Sequence, residues 1–187
     1  DTNFSVDACR AGTATSPRYG NVGNAASKQS GVYCGSKASL YMYNVQVCGF
    51  NGSGVGCGNA SNVYMIYCTL SECNDGIHCH NNSIVYCVCG FIVGNRCSGV
   101  GCYSAARLYL SASVVCSCEQ GGILCSGLGT VCILKGCYIH KNYLANVSLR
   151  SDAFMHILGS CIVDSVKGSG VYIHGKRALC CLKTLVG

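Results

Sequence analysis

Any chemistry in this sequence must come from a short set of side chains. The 187 residues hold seven acids: Asp1, Asp7, Glu72, Asp75, Glu119, Asp152 and Asp164. Cleavage of a glycosidic bond needs two carboxylates flanking it, and a hard cation needs several oxygen ligands at once. Glu72 and Asp75 share one short stretch, "ECND", and no third acid recurs at the equivalent place nearby. The run "HCH" sets His78 and His80 on one side of a strand, around Cys79. A zinc site needs a third and a fourth ligand, and none stands at a matching spacing. "CVC" at Cys87–Cys89 and "CSC" at Cys116–Cys118 lack the two-residue gap of zinc pairs. The expectation is no catalytic centre, no metal and no cofactor.

Cysteine is the abundant reactive group, at 19 residues. That density points to an oxidising compartment, where thiols are not kept reduced, and the odd count leaves at least one unpaired within the chain. Five Asn-x-Ser acceptors, at Asn3, Asn51, Asn59, Asn81 and Asn146, add the expectation of a secreted or cell-surface glycoprotein. The net charge of +6 comes from bases that are scattered rather than clustered, so nucleic acid is not an expected partner. No apolar run reaches membrane-spanning length, so no membrane insertion is expected.

The elements that position these residues declare themselves as a repeat. "GVYC", "GVGC", "GIHC", "GVGC" and "GILC" end at Cys34, Cys57, Cys79, Cys102 and Cys125, and "NVSL" and "GVYI" continue them at Leu149 and Ile173. A second motif begins at Leu40, Val63, Val85, Leu108, Val131, Met155 and Leu179, with the same intervals of 22 to 24 residues. A third, looser one pairs Val45/Val47, Cys68/Leu70, Cys89/Phe91, Val114/Cys116, Cys137/Ile139 and Cys161/Val163. Each alternates apolar, variable, apolar, the pattern of a strand with one buried face. Three short strands per repeat cannot bury that face alone, but stacked repeats can. The glycines at positions 31, 54, 76, 99, 122 and 170 mark a corner that needs positive φ or a close approach.

These motifs resemble the right-handed parallel β-helix, or pectin-lyase-like, superfamily over residues 30–187. The expected fold is all-β, a right-handed β-solenoid of about seven coils of 22–24 residues, preceded by an extended N-terminal arm at 1–29. The resemblance is specific for fold and not for function, because that superfamily includes lyases, hydrolases, tailspikes, adhesins and structural solenoids. "NDGIH" at Asn74–His78 resembles the Asp-Gly turns of its hydrolases. The paired Asp, Gly-His-Gly and Arg-Ile-Lys elements of polygalacturonases are missing.

The register turns twelve cysteines inward and places Cys9, Cys48, Cys73, Cys97, Cys118, Cys132 and Cys180 in turns, outward positions or the leader. Column neighbours about 4.8 Å apart are too far for the roughly 3.8 Å Cβ spacing of a disulfide, so inward cysteines are expected as packed free thiols or cross-core pairs. Cys73 and Cys97, beside the glycine corners of adjacent coils, are the expected disulfide. Outward, Tyr41, Tyr64, Tyr86 and Tyr109 form an aromatic strip, followed by Cys132, His156 and Cys180. That strip suits a protein interface or a glycan platform. The expected function is an extracellular structural solenoid that self-assembles, by head-to-tail stacking or strand donation, into a filament or surface layer. The alternative is a carbohydrate-binding, adhesin- or tailspike-like module, and a polysaccharide lyase or hydrolase comes third.

Overall fold

The computed structural model describes residues 4–5 and 30–183. The expected arm lies outside them except for the strand Phe4–Ser5, which pairs antiparallel with Val32–Cys34. From Val32 onward the chain winds through seven coils. Coil one shows the plan: a strand at Val32–Cys34, a second at Ser39–Tyr43 and a third at Gln46–Cys48. Corresponding strands of successive coils pair in parallel, which builds an eight-stranded, a seven-stranded and a six-stranded sheet. Every strand pairs with the one three places along the chain, as stacked coils demand.

The interior is made of columns. Val32, Val55, Ile77, Val100, Ile123 and Val147 lie in register beside Cys34, Cys57, Cys79, Cys102, Cys125 and Leu149, all essentially closed to solvent. Leu70, Ile92, Val115 and Ile139 fill the space from the six-stranded sheet. The glycine corners work by close approach. A Cβ on Gly76 would stand 2.5 Å from the Gly99 carbonyl oxygen, and one on Gly122 would stand 2.4 Å from that of Asn146. Side-chain amides complete the same corner: Asn95 accepts the Cys73 N–H at 3.1 Å, and Asn142 accepts the Cys118 N–H at 3.0 Å. Buried backbone donors left unpaired would each cost roughly 1–3 kcal/mol.

Two registers differ from expectation. In coil five Cys132, not Val131, continues the column of Leu108, and in coil seven Cys180, not Leu179, continues that of Met155. Both coils carry one extra residue in the preceding turn. It is absorbed around Gly127 and Gly129 (φ 103° and 75°) and around Gly175 (φ 140°). A one-residue slip reverses every side chain of a strand. Cys132 is therefore buried, and Ile133 and Cys181 take the outward places expected for Cys132 and Cys180. In the third motif Ile92 and Val115 point inward, whereas Phe91 is 44% exposed.

Twelve described cysteines are buried, but Cys73, Cys118 and Cys132 are among them while Cys89 and Cys181 are half-exposed. All the described cysteines are free thiols, so the expected Cys73–Cys97 disulfide is not formed. Cys73 turns into the core, with its Sγ 3.2 Å from the Ser71 carbonyl, while Cys97 Sγ faces the Gln120 side chain at 3.2 Å. Burial pushes the Cys87 thiol up to about 12 and that of Cys118 to about 11, so both stay protonated and pack as small hydrophobes. A core of this kind does not depend on oxidation, and the cysteine count therefore no longer specifies a compartment.

Candidate functional site

Two outer faces carry the aromatic residues. On the seven-stranded sheet, Tyr41, Tyr64, Tyr86 and Tyr109 sit in register on successive strands. Their rings stack nearly parallel, with centroids 4.7, 5.1 and 4.6 Å apart and interplanar angles of 7°, 2° and 9°. Each inner ring presents both faces to its neighbours. Edges and hydroxyl tips are what remain for a ligand, so the ladder does not offer the open ring faces that a sugar needs.

The eight-stranded sheet is built differently. Its outward positions include Gly56 and Gly101 mid-strand, with Gly35 and Gly58 just beyond the strand ends. Without side chains there, neighbouring rings lie down on the sheet. The ring of Tyr33 covers the places where side chains of Gly35, Gly56 and Gly58 would stand: added Cβ atoms would come within 2.7, 2.8 and 3.0 Å of it. His80 also closes on Gly58, at 2.6 Å, and Tyr103 folds back over Gly101, again at 2.6 Å. His78 joins them, 5.4 Å from His80 and 5.0 Å from Tyr103 between ring centroids. Tyr33, His80, His78 and Tyr103 thus form an aromatic row across coils one to four.

Asp75 anchors one end of this row. Its Oδ1 accepts the Ser98 N–H at 3.0 Å and its Oδ2 lies 3.6 Å from His78 Nδ1. Burial, then the Asp75 carboxylate, pushes the Tyr103 phenol up to about 12, which keeps it a neutral donor. Burial, then the charge on His78, lowers the pKa of His80, which favours a neutral imidazole that can accept. Further along the same face, Arg150 donates from Nε to Ser148 Oγ at 3.2 Å and lies 5.9 Å from the Tyr172 ring. The face therefore offers ring surfaces, neutral donors and acceptors, one carboxylate and one guanidinium. Glu72 is exposed at the end of its strand, at φ 55°. Among the described residues no three His, Cys, Asp or Glu side chains are grouped to hold a metal ion.

The glycan acceptors are corrected in one case. Asn146 is fully buried and its Nδ2 donates to the Val163 carbonyl, so the folded chain cannot be glycosylated there. Asn59 and Asn81 are exposed and lie at φ 54° and 53°, in a turn where Ser36 and Ser104 take the same conformation. Asparagine tolerates that region, so its recurrence there has a backbone reason. Asn51 Oδ1 accepts from Arg96 at 2.6 Å, and Asn3 lies outside the described residues. Tyr33 and Tyr103 were not among the residues singled out from sequence. The signal that could have found them is the glycine at alternate outward positions of the same strands.

No protein-family model matches the chain, and no curated protein matches it. Among solved structures, the crystal structure of the periplasmic alginate epimerase AlgG is similar, with a TM-score of 0.53 and 13% identity. The match covers 84% of this chain and 48% of that one, so the chain spans about half the length of its structural neighbour. Among the described residues no helix is long and apolar enough to cross a membrane. Stacked parallel coils and this likeness agree on one fold, and by that fold the chain is a parallel β-helix.

Proposed function

We propose that the chain is the glycan-recognising part of an extracellular β-solenoid, with Tyr33, His78, His80 and Tyr103 as its recognition face. The observation that carries this reading is the glycine floor. Aromatic rings laid flat on a sheet present an apolar face to a sugar ring, while hydroxyl and imidazole tips meet its hydroxyl groups. The structural neighbour, named for alginate and for the periplasm, supports a polysaccharide ligand and a location outside the cytoplasm. The face is read as binding its ligand rather than transforming it, because both oxygens of Asp75 are engaged by its own neighbours. Binding to immobilised polysaccharides, compared between the unaltered chain and Tyr33→Ala/Tyr103→Ala, tests the reading. Losing two stacking rings at about 1.4 kcal/mol each weakens binding about a hundredfold. Equal binding by the double variant would sink it.

A second reading, head-to-tail self-assembly into a filament, is favoured by coil seven. Ile173 and Leu182 continue inner columns yet are 48% and 68% exposed, and another coil over them, whichever chain supplies it, would bury them. Fibres seen by electron microscopy at high concentration, and lost in Ile173→Asp, are the expected result of that reading.

A further inference from the structure

The outer face of the seven-stranded sheet is apolar to a degree that a solvent-facing sheet does not require. Parallel sheets are ordinarily covered on both faces. Here Tyr41, Tyr43, Ile66, Tyr67 and Val88 are 74%, 65%, 41%, 55% and 39% exposed and lie together on coils one to three. None of the sheet's seven strands contains an acid. Its bases, Arg107, Lys135 and Lys183, all lie on coils four, five and seven, away from the exposed tyrosines. The face is therefore polar along the solenoid axis, with electron-rich rings at one end and cations at the other.

We propose that this face binds a second copy of the chain in inverted coil order, about a two-fold axis along the strand Arg107–Ser111. Charge complementarity selects that arrangement. Inversion sets the tyrosine end of each copy against the lysine end of the other, where cations meet ring faces and edges. In one outward row, Tyr43 then faces Lys183 of the second copy and Ile66 faces its Leu158. In the next row, Tyr64 faces its His156 and Tyr86 faces its Ile133. Pairing without inversion would leave the bases clustered together. Size is adequate. Seven strands of five residues cover roughly 17 by 29 Å, about 1,000 Å² over both copies, which reaches what a specific interface needs. Two sheets packed in this way form the interior of a sandwich, and the tyrosine ladder, rigid through its own stacking, loses little freedom on docking.

The test is sedimentation equilibrium of the full 187-residue chain under reducing conditions, with two opposite charges placed at one exposed position. The unaltered chain is expected to dimerise. Tyr43→Lys, brought against Lys183, weakens the dimer about tenfold, and Tyr43→Glu, brought against the same base, tightens it about tenfold. Position 43 is exposed, so both variants fold, which circular dichroism verifies. A monomer at every concentration overturns the proposal. So does equal weakening by both substitutions, or a dimer indifferent to both. Glycan binding by the opposite sheet is measured separately and does not depend on the outcome.

Discussion

The two aromatic faces use one kind of residue to opposite ends. On the seven-stranded sheet every outward place from Tyr41 to Tyr109 is filled by the same ring, and the rings stack on each other. On the eight-stranded sheet the ring of Tyr33 is followed by Gly56, that of His78 by Gly101, and the rings fall over onto the empty places. A ladder satisfies its ring faces internally and stiffens the sheet. A ring on a glycine floor spends one face on the backbone and leaves the other for a ligand. The neighbour one coil away, rather than the aromatic residue itself, decides which outcome follows.

The largest expected effect separates the faces by stability. Tyr86 stacks on both sides, and each stacked contact is worth about 0.5–1.5 kcal/mol beyond area burial. Tyr86→Ala is expected to cost about 2 kcal/mol and to lower Tm by about 4–8 °C, while leaving glycan binding unchanged. Tyr103→Ala has the reverse profile. Differential scanning calorimetry beside a binding isotherm reads both, and a ladder variant that lost glycan binding would erase the distinction.

A smaller effect tests the floor itself. A side chain on Gly101 meets only the far end of the Tyr103 ring, which can swing away. Gly101→Val is therefore expected to leave stability unchanged, or to raise it by about 0.5–1 kcal/mol through strand propensity, while weakening glycan binding about tenfold. If binding persisted with the ring displaced, the floor would have no part in recognition. The corner glycines set the contrast, because an added Cβ on Gly122 meets a backbone oxygen that cannot move aside.

Much of this molecule is legible in the residues and some of it is not, for stateable reasons. The columns of Val32 and Cys34 show through because stacking repeats them at nearly constant spacing and inward places accept only apolar side chains. The slip at Cys132 does not, since "VCI" and "CIL" both read apolar, variable, apolar, and only the glycine turn ahead of them tells which is in phase. Cys73 and Cys97 look paired when counted along the chain, but one belongs to the core and the other to the surface. Asn146 matches an acceptor triplet while filling a buried corner. Tyr33 and Tyr103 escape notice because they occupy different phases of strands three coils apart, and only the gaps between them make them a site.

Titration gives the smallest effect and falls unequally on the two faces. The pKa of His80 is lowered by burial and by the charge on His78, so between that value and the unfolded pKa near 6.5 the unfolded chain binds more protons. Stability therefore rises with pH across that window and is lost as pH falls through it. Tyr103, raised to about 12, acts in the opposite direction: its contribution is intact below pH 10 and fades as pH climbs toward 12. The tyrosine ladder has the alkaline limb alone, through Tyr86, whose phenol is raised by burial and by Tyr109 and Tyr64. Thermal melts from pH 5 to 8 should thus show a shallow acid limb that His80→Gln flattens and that Tyr86→Phe leaves in place. An acid limb untouched by His80→Gln would mean that another group sets it, and the recognition row would then lack the neutral acceptor assigned to it.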